Sequence, residues 1–304
     1  MTIRYDNRVA IVTGAGSGLG RSHALFLASR GARVVVNDLG GAVDGSGGSA
    51  TPAQQVVAEI QAAGGIAVAN ADSVATPAGA ARIVQTAIDH WGRLDILVNN
   101  AGNLRDRTIL KMTPEDFDAV VAVHLAGAAY CTIAAWPHMK EANFGRIVMT
   151  TSAAGLFGNF GQGNYAAAKL GVVGLMNALK LEGLKYNIRI NTVAPIALTR
   201  MTEDLISADV KPRLKPEFVT PLVAWFCAAE NEASGDIVEA GAGYFSRVQI
   251  MEATGAVLGN GQVPTPEAVR DNYARISDMS GAQAFGSAND VMRRVFGDLQ
   301  RPAK

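Results

Sequence analysis

The chain has 304 residues, 49% of them apolar, and its 27 Lys and Arg balance 27 Asp and Glu. A chain of this length can bury a sizeable core inside one α/β domain. Zero net charge without any Lys or Arg block lacks the electrostatic footprint of a nucleic-acid binder, so no nucleic-acid partner is expected.

Cys131 and Cys227 are the only cysteines. They lie far apart with no Cys or His at metal-ligand spacing, which predicts neither a disulfide framework nor a metal site and fits a reducing, cytoplasmic setting. The start Met1-Thr2-Ile3-Arg4-Tyr5-Asp6 carries no apolar signal core, and no apolar stretch is read as approaching the roughly 20 residues of a membrane span, so no membrane partner is expected. The last residues, Arg301-Pro302-Ala303-Lys304, differ from a peroxisomal Ser-Lys-Leu-type address.

Along the chain, apolar runs of strand length alternate with longer stretches of helical period. The expected strands are Arg8–Thr13, Arg33–Asp38, Ile66–Ala71, Leu94–Asn99, Gly145–Thr150 and Ile188–Ala194. Runs such as Val9-Ala10-Ile11-Val12 and Ile96-Leu97-Val98 are apolar at consecutive positions, as strands covered on both faces must be. The fold class expected is therefore α/β, a single Rossmann-type doubly wound parallel sheet with helices on both faces. Thr113-Pro114-Glu115-Asp116 has the hydroxyl, proline and acids of a helix start. Gly40–Ala50, rich in Gly and Ser, is expected to be a solvated surface loop rather than the rim of a ligand opening. Beyond Gly241-Ala242-Gly243 the rhythm changes to an extended Tyr244–Met251 and helices within Pro264–Met279 and Asn289–Asp298. Residues 1–243 thus read as the dinucleotide-binding domain, and 244–304 as a short C-terminal extension packed on it or on a partner subunit.

Directly after the first strand comes Thr13-Gly14-Ala15-Gly16-Ser17-Gly18-Leu19-Gly20, then a helical pattern. Small residues there let the backbone turn sharply, approach a pyrophosphate closely and aim free amides at it from a positively polarised helix start. Gly14, Ser17, Gly18, Leu19 and Gly20 are the candidate phosphate contacts. Asp38, about twenty residues on at the end of the second strand, can accept from the adenosine ribose hydroxyls and repel a 2′-phosphate, which favours NAD over NADP. Asp72-Ser73 and Asn100-Ala101-Gly102 end the third and fourth strands, at the edge where open parallel sheets bind ligands.

Tyr165 and Lys169 stand four apart in an alanine-rich helical stretch, so both side chains leave one face. An ammonium nearby, with the positive nicotinamide ring, can stabilise a phenolate that otherwise forms only near pH 10. Tyr165 can then exchange the hydroxyl proton of an alcohol while hydride moves between carbon and nicotinamide. Ser152, at the end of the fifth strand, can hold the substrate oxygen.

Through Thr13–Gly20, Asn99-Asn100-Ala101-Gly102, Ser152 and Tyr165-Ala166-Ala167-Ala168-Lys169, the sequence resembles the short-chain dehydrogenase/reductase family over about residues 5–243. Within it, Asn37-Asp38-Leu39-Gly40-Gly41, Leu104-Arg105-Asp106-Arg107 and Gly158-Asn159-Phe160-Gly161-Gln162 resemble the (3R)-hydroxyacyl-CoA dehydrogenases of fatty-acid β-oxidation. The resemblance implies that Ser152 orients substrate, Tyr165 is the acid/base, and Lys169 grips the nicotinamide ribose while tuning Tyr165. It places Asp38 on the adenosine ribose, Asp72 and Ser73 near adenine, Asn100, Ala101 and Gly102 along the cofactor, and Pro195 and Thr199 by the nicotinamide. It also implies NAD as cofactor, an acyl-CoA alcohol as substrate, and a homodimer or homotetramer; with no hydratase or sterol-carrier domain following residue 304, a free-standing enzyme is expected. A hydroxysteroid dehydrogenase of 17-beta type and a non-catalytic nucleotide-binding scaffold are the alternatives.

Two departures from the family pattern stand out. His124 occupies the place of an asparagine that usually anchors a water on the fourth helix; it is expected to be a hydrogen-bonded structural histidine, holding the water itself being the other reading. Ala194-Pro195-Ile196-Ala197-Leu198-Thr199 lacks the usual glycine after its proline and is one residue short, which bears on the contact expected of Thr199.

Overall fold

The computed structural model describes residues 2–42, 44–49, 51–196, 211–259 and 261–299. The chain forms two compact units, Met1–Arg247 and Val248–Lys304. In the first unit, strands and helices alternate as β1 (Val9–Thr13), α1 (Gly18–Ser29), β2 (Arg33–Asn37), α2 (Thr51–Ala62), β3 (Ile66–Asn70), α3 (Pro77–Trp91), β4 (Ile96–Asn99), α4 (Pro114–Val121), α5 (Gly127–Glu141), β5 (Gly145–Thr150), α6 (Ala153–Phe157), α7 (Gly163–Gly183), β6 (Ile188–Pro195), α8 (Thr220–Cys227) and β7 (Ile237–Gly241). A last strand, β8 (Tyr244–Val248), follows.

The strands make one sheet in the order β3-β2-β1-β4-β5-β6-β7-β8, with parallel pairing from β3 through β7. The six strands expected from apolar runs are present with ends shifted by at most two residues. Their burial explains their composition: every residue of β1, β4 and β5 is buried. Helices α1, α2 and α8 cover one face, and α3, α5 and α7 the other. The fold class is the expected doubly wound α/β sheet.

β7 was not anticipated, because Glu239 interrupts a run of only five residues. It joins the sheet because Thr192–Pro195 of β6 offers a free edge to Ile237–Ala240. Ala242 and Gly243 then adopt φ of +52° and +83°, a two-residue turn that returns the chain as β8.

Chain reversal places a topological switch between β1 and β4: from β1 the sheet grows to β2 and β3, from β4 to β5 and β6. The carboxyl ends of β1 and β4 therefore open a crevice, which is where such sheets hold ligands.

Helix starts follow the sequence signals. Thr113 caps α4 by accepting from Asp116 N–H at 3.2 Å, ahead of Pro114 and Glu115, and Thr76 does the same for α3. α4 runs through a π-helical turn, Ala122–Ala126, into α5. Within this continuous 28-residue run, Pro114–Glu141, an 18-residue window is apolar enough, at mean hydropathy 1.6, to depart from the expectation that no apolar stretch reaches span length. By length and composition it could cross a membrane; in the folded chain it packs in part against α3 and α7, with 39% of the apolar window buried.

The second unit holds α9 (Pro266–Asp271), α10 (Tyr273–Ile276) and α11 (Ala288–Leu299). Arg294 on α11 binds Glu252 at 2.7 Å and the Ala253 carbonyl at 2.9 Å, and Glu252 pairs with Gln283 through two backbone bonds.

Candidate active site

α7 begins at Gly163, so Tyr165 lies in its first turn, where the positive end of the helix favours a phenolate. Lys169 is one turn further along, as their spacing requires. Its Nζ lies 5.6 Å from the centre of the Tyr165 ring and donates to the Thr150 carbonyl at 2.6 Å. Ser152, which follows β5, caps α6 by accepting from Ala154 N–H at 3.2 Å, and its hydroxyl lies near the Tyr165 phenol. Ser152 and the Tyr165–Lys169 pair thus meet at the carboxyl edge of β5.

Electrostatics pull these groups in opposed directions. Burial lowers the pKa of Lys169 to about 7, since its ammonium has left water and no carboxylate pairs with it among the described residues. Burial also raises the pKa of Tyr165, partly offset by the Ser152 hydroxyl, while the charge of Asp106 raises it further. A cation bound beside the pair would reverse the effect on the phenol.

The glycine turn joins β1 to α1 with Gly14 at φ +62° and Gly18 at φ +53°. A Cβ on Gly20 would stand 2.2 Å from the Gly14 carbonyl oxygen, so helix and turn can approach only with glycine there. Ser17, at the N-cap of α1, makes no side-chain capping bond. The first-turn amides, Leu19 included, are thus left to an outside acceptor, and a Cβ at Gly18 would meet open space. This uncapped, side-chain-free cradle fits the pyrophosphate of a dinucleotide.

Asp38 stands beyond β2 with one carboxylate oxygen accepting from Gly16 N–H and the other from Gly40 N–H, both at 2.7 Å. Each oxygen keeps a further lone pair for a ribose hydroxyl. Asp72 binds Arg82 at 2.6 Å and Asn70 at 2.9 Å, and the Ser73 hydroxyl accepts from Ala75 N–H, so the β3 end is a self-bonded turn. Asn100 donates its side-chain N–H groups to the Thr13 and Gly14 carbonyls, at 3.0 Å each. It holds the β4 end against the glycine turn, with Ala101 and Gly102 continuing the wall. Pro195 ends β6 opposite Ala240. Thr199 lies outside the described residues.

Several positioning residues escaped the sequence reading. Thr13 was legible only as the start of the glycine motif. Its buried hydroxyl donates to the Val98 carbonyl at 3.3 Å and accepts from Asn100 and Ala101 N–H at 3.0 and 3.1 Å. Asn164, fully buried, donates to the Arg105 and Asp116 carbonyls and so pins the start of α7. An amide inside an alanine-rich helix was the available signal. The Gly40–Ser49 stretch is largely exposed, as expected, yet it is not free of the site: Arg105 Nε donates to the Asp44 carbonyl at 3.0 Å.

Residues 8–209 match the model of the short chain dehydrogenase family. The chain belongs to the short-chain dehydrogenase family. As a member it is an oxidoreductase, with the glycine turn and the Ser152, Tyr165 and Lys169 trio within the matched span. It is 51% identical to the mouse peroxisomal multifunctional enzyme type 2, over 96% of this chain and 40% of that one. A short-chain type dehydrogenase/reductase of Mycobacterium tuberculosis is 52% identical over 92% of this chain and 98% of its own length. The chain therefore spans less than half of the mouse enzyme and nearly all of the mycobacterial one.

Among solved structures, full-length peroxisomal multifunctional enzyme type 2 of Drosophila melanogaster superposes with a TM-score of 0.84 at 39% identity, covering 98% of this chain and 50% of that chain. A 7 alpha-hydroxysteroid dehydrogenase complexed with NADH and 7-oxo glycochenodeoxycholic acid gives 0.70 at 29% identity, over 79% of this chain and 95% of that one. The cytoplasmic reading drawn from the cysteines does not stand. The relatives from mouse, Dictyostelium, fly and yeast are peroxisomal enzymes by name. Unpaired cysteines report only that thiols stay reduced, which does not select one reducing compartment over another.

Proposed function

We propose that this oxidoreductase converts a secondary alcohol to a ketone with NAD, and that the alcohol is the 3-hydroxyl of a (3R)-3-hydroxyacyl-CoA. The observation that carries the reading is the meeting of Ser152, Tyr165 and Lys169 beside the uncapped glycine turn at the sheet switch point. Ser152 holds the substrate oxygen, and the Tyr165 oxygen takes the hydroxyl proton as the C–O double bond forms. Lys169 keeps a positive charge beside the phenol. NAD, when bound along the β1–β4 crevice, supplies the acceptor for the hydride and a positive ring that favours the phenolate.

Asp38 supports NAD over NADP, because a 2′-phosphate brought near its carboxylate meets like charge with no Lys or Arg in the glycine turn to offset it. The acyl-CoA half rests on the multifunctional-enzyme relatives. A second copy of the chain is proposed against the apolar positions that α5 and α7 leave exposed, Ile133 at 68% and Leu181 at 54%. The resulting species is a homodimer or homotetramer, to be read by light scattering.

The test is purified protein offered NAD or NADP with (3R)- and (3S)-3-hydroxyacyl-CoA and a steroid alcohol, followed by coenzyme reduction. Turnover of the 3R thioester with NAD is expected, and Asp38→Ala should narrow the preference over NADP. Exclusive turnover of the steroid would move the assignment to a hydroxysteroid dehydrogenase, towards which the NADH-bound neighbour leans. Tight NAD binding with no turnover of either alcohol would leave the scaffold reading.

A further inference from the structure

Arg105-Asp106-Arg107, beyond the end of β4, is stitched to the start of α7 by three ties. The Arg105 carbonyl accepts from the Asn164 side chain at 3.0 Å, Asp106 Oδ2 accepts from Gln162 Nε2 at 2.8 Å, and Arg107 forms a parallel β-bridge with Gln162. Asn159 donates to Gln162 Oε1 at 2.8 Å, which holds the amide with its N–H towards Asp106. Gln162 is the N-cap of α7 and Tyr165 lies in the first turn, so the Asp106 carboxylate is fixed beside the helix end that carries the phenol.

Arginines stand on both sides of Asp106 in the sequence, yet the fold turns both away from its carboxylate. Arg105 gives its Nε to the Asp44 carbonyl at 3.0 Å and pairs with Asp116 on α4 at 3.7 Å. Arg107 directs a guanidinium N–H to the backbone carbonyl of Asp106 at 3.0 Å. Among the described residues Asp106 has no ion-pair partner. A neutral amide therefore positions the carboxylate without cancelling its charge. That charge acts on the Tyr165 phenol and opposes its ionisation. The other groups around the phenol are Lys169 on the same helix, the Ser152 hydroxyl and His124 from the π-helical turn. His124 meets the Tyr165 ring edge-on, with centroids 5.1 Å apart, and its Nε2 is 2.8 Å from the Asn103 carbonyl oxygen. Burial lowers its pKa to about 3, so it brings no charge.

An alcohol substrate must bring its reacting carbon against this phenol. In a free 3-hydroxy acid the ionised C1 carboxylate lies two bonds from the carbon that bears the hydroxyl, so it enters the region where the Asp106 charge is felt. In a thioester the same C1 is neutral. We propose that Asp106 is a specificity-determining residue: its unpaired carboxylate beside the start of α7 disfavours a substrate charged at C1 and so selects a 3-hydroxyacyl thioester over the free hydroxy acid. Repulsion separates two molecules whose acyl chains are identical, which contacts to the chain cannot do. The inference rests on the dehydrogenase reading above, because it takes Ser152 and Tyr165 to hold the 3-hydroxyl. Asp106 is exposed, so water and salt screen its field and the discrimination is moderate and salt-sensitive.

The probes are (3R)-3-hydroxybutyrate and its N-acetylcysteamine thioester, which share one acyl chain and differ in charge at C1. Asp106→Asn keeps an acceptor for Gln162 and removes the charge. Its kcat/KM for the acid should rise roughly three- to tenfold relative to the thioester at low ionic strength, and the gain should shrink in about 1 M salt, where the Debye length is about 3 Å. An altered Tyr165 acts on both probes and cancels in that ratio. Gln162→Lys leaves Asp106 in place and supplies the missing cation, so it should move the ratio the same way, and it replaces Asp106→Asn if that variant does not fold. A ratio that stays at the wild-type value, or that changes independently of salt, overturns the inference. A second readout needs no turnover: ultraviolet titration of the phenol, with Tyr165→Phe as the blank, should give a lower Tyr165 pKa in Asp106→Asn than in the wild type. If the wild type oxidises neither probe, this titration decides, and an unchanged phenol overturns the inference. Failure to oxidise (3R)-3-hydroxyacyl-CoA as well would remove the proposed function while leaving the titration result for Asp106 intact.

Discussion

Lys169 Nζ sits 5.6 Å from the centre of the Tyr165 ring and donates to the Thr150 carbonyl at 2.6 Å. The ammonium is held by β5 and offered to a phenol on α7, so the acid/base pair is positioned by two elements rather than by the helix alone. Tyr165→Phe removes the oxygen that exchanges the proton and leaves this scaffold standing. Alcohol oxidation should fall by about 10²- to 10⁴-fold with NADH affinity within a factor of about three. Fluorescence titration with NADH beside steady-state kinetics checks both halves, and unchanged turnover removes Tyr165 from the chemistry.

Lys169 also carries a stability cost of known sign. Its pKa is lowered from 10.5 to about 7, so the unfolded chain holds a proton that the folded chain releases between those values, and stability gains with rising pH across that window. Lys169→Met should therefore raise Tm at and below pH 7, with the gain shrinking towards pH 10, while turnover is lost. Thermal unfolding of both proteins at pH 6, 8 and 10 measures it. A constant Tm difference across that range would contradict the buried-charge account.

Acid lability should trace to the buried histidines. His23 is 1% exposed on α1, with Nδ1 2.8 Å from the Thr220 hydroxyl at the start of α8, and burial lowers its pKa to about 3. The unfolded chain protonates such a ring near pH 6.5, so stability falls as pH drops from there towards 3, by on the order of 2 kcal/mol per buried histidine between pH 7 and 5. His23→Gln should flatten that slope by one histidine's share in urea unfolding, and an unaltered slope would assign the acid sensitivity elsewhere.

Thr13→Val tests the clamp between glycine turn and β4. The substitution is nearly isosteric, but it strands the Asn100 and Ala101 N–H groups that the hydroxyl accepts from. A loss of about 1–3 kcal/mol in stability is expected, along with weaker NAD binding, because the two walls of the crevice lose their common anchor. Urea unfolding and NADH titration would show it; intact affinity at reduced stability would confine Thr13 to the fold.

The parallel sheet was legible from the sequence because strands buried on both faces must be apolar throughout, and Val9–Thr13, Ile96–Asn99 and Gly145–Thr150 are. The glycine turn and the Tyr165–Lys169 pair were legible for a similar reason: local spacing alone sets a tight turn or a shared helix face. Sequence could not say that Asn100 and Asp38 spend hydrogen bonds on the glycine turn, that Glu239 lies within a strand, or which way His124 faces. Those facts depend on which elements become neighbours. Side chains such as Thr13, Lys169 and His124 acquire their partners only when β1, β4, β5 and the π-helical turn converge at one edge of the sheet, and no local pattern encodes a contact between groups 87 residues apart like Thr13 and Asn100.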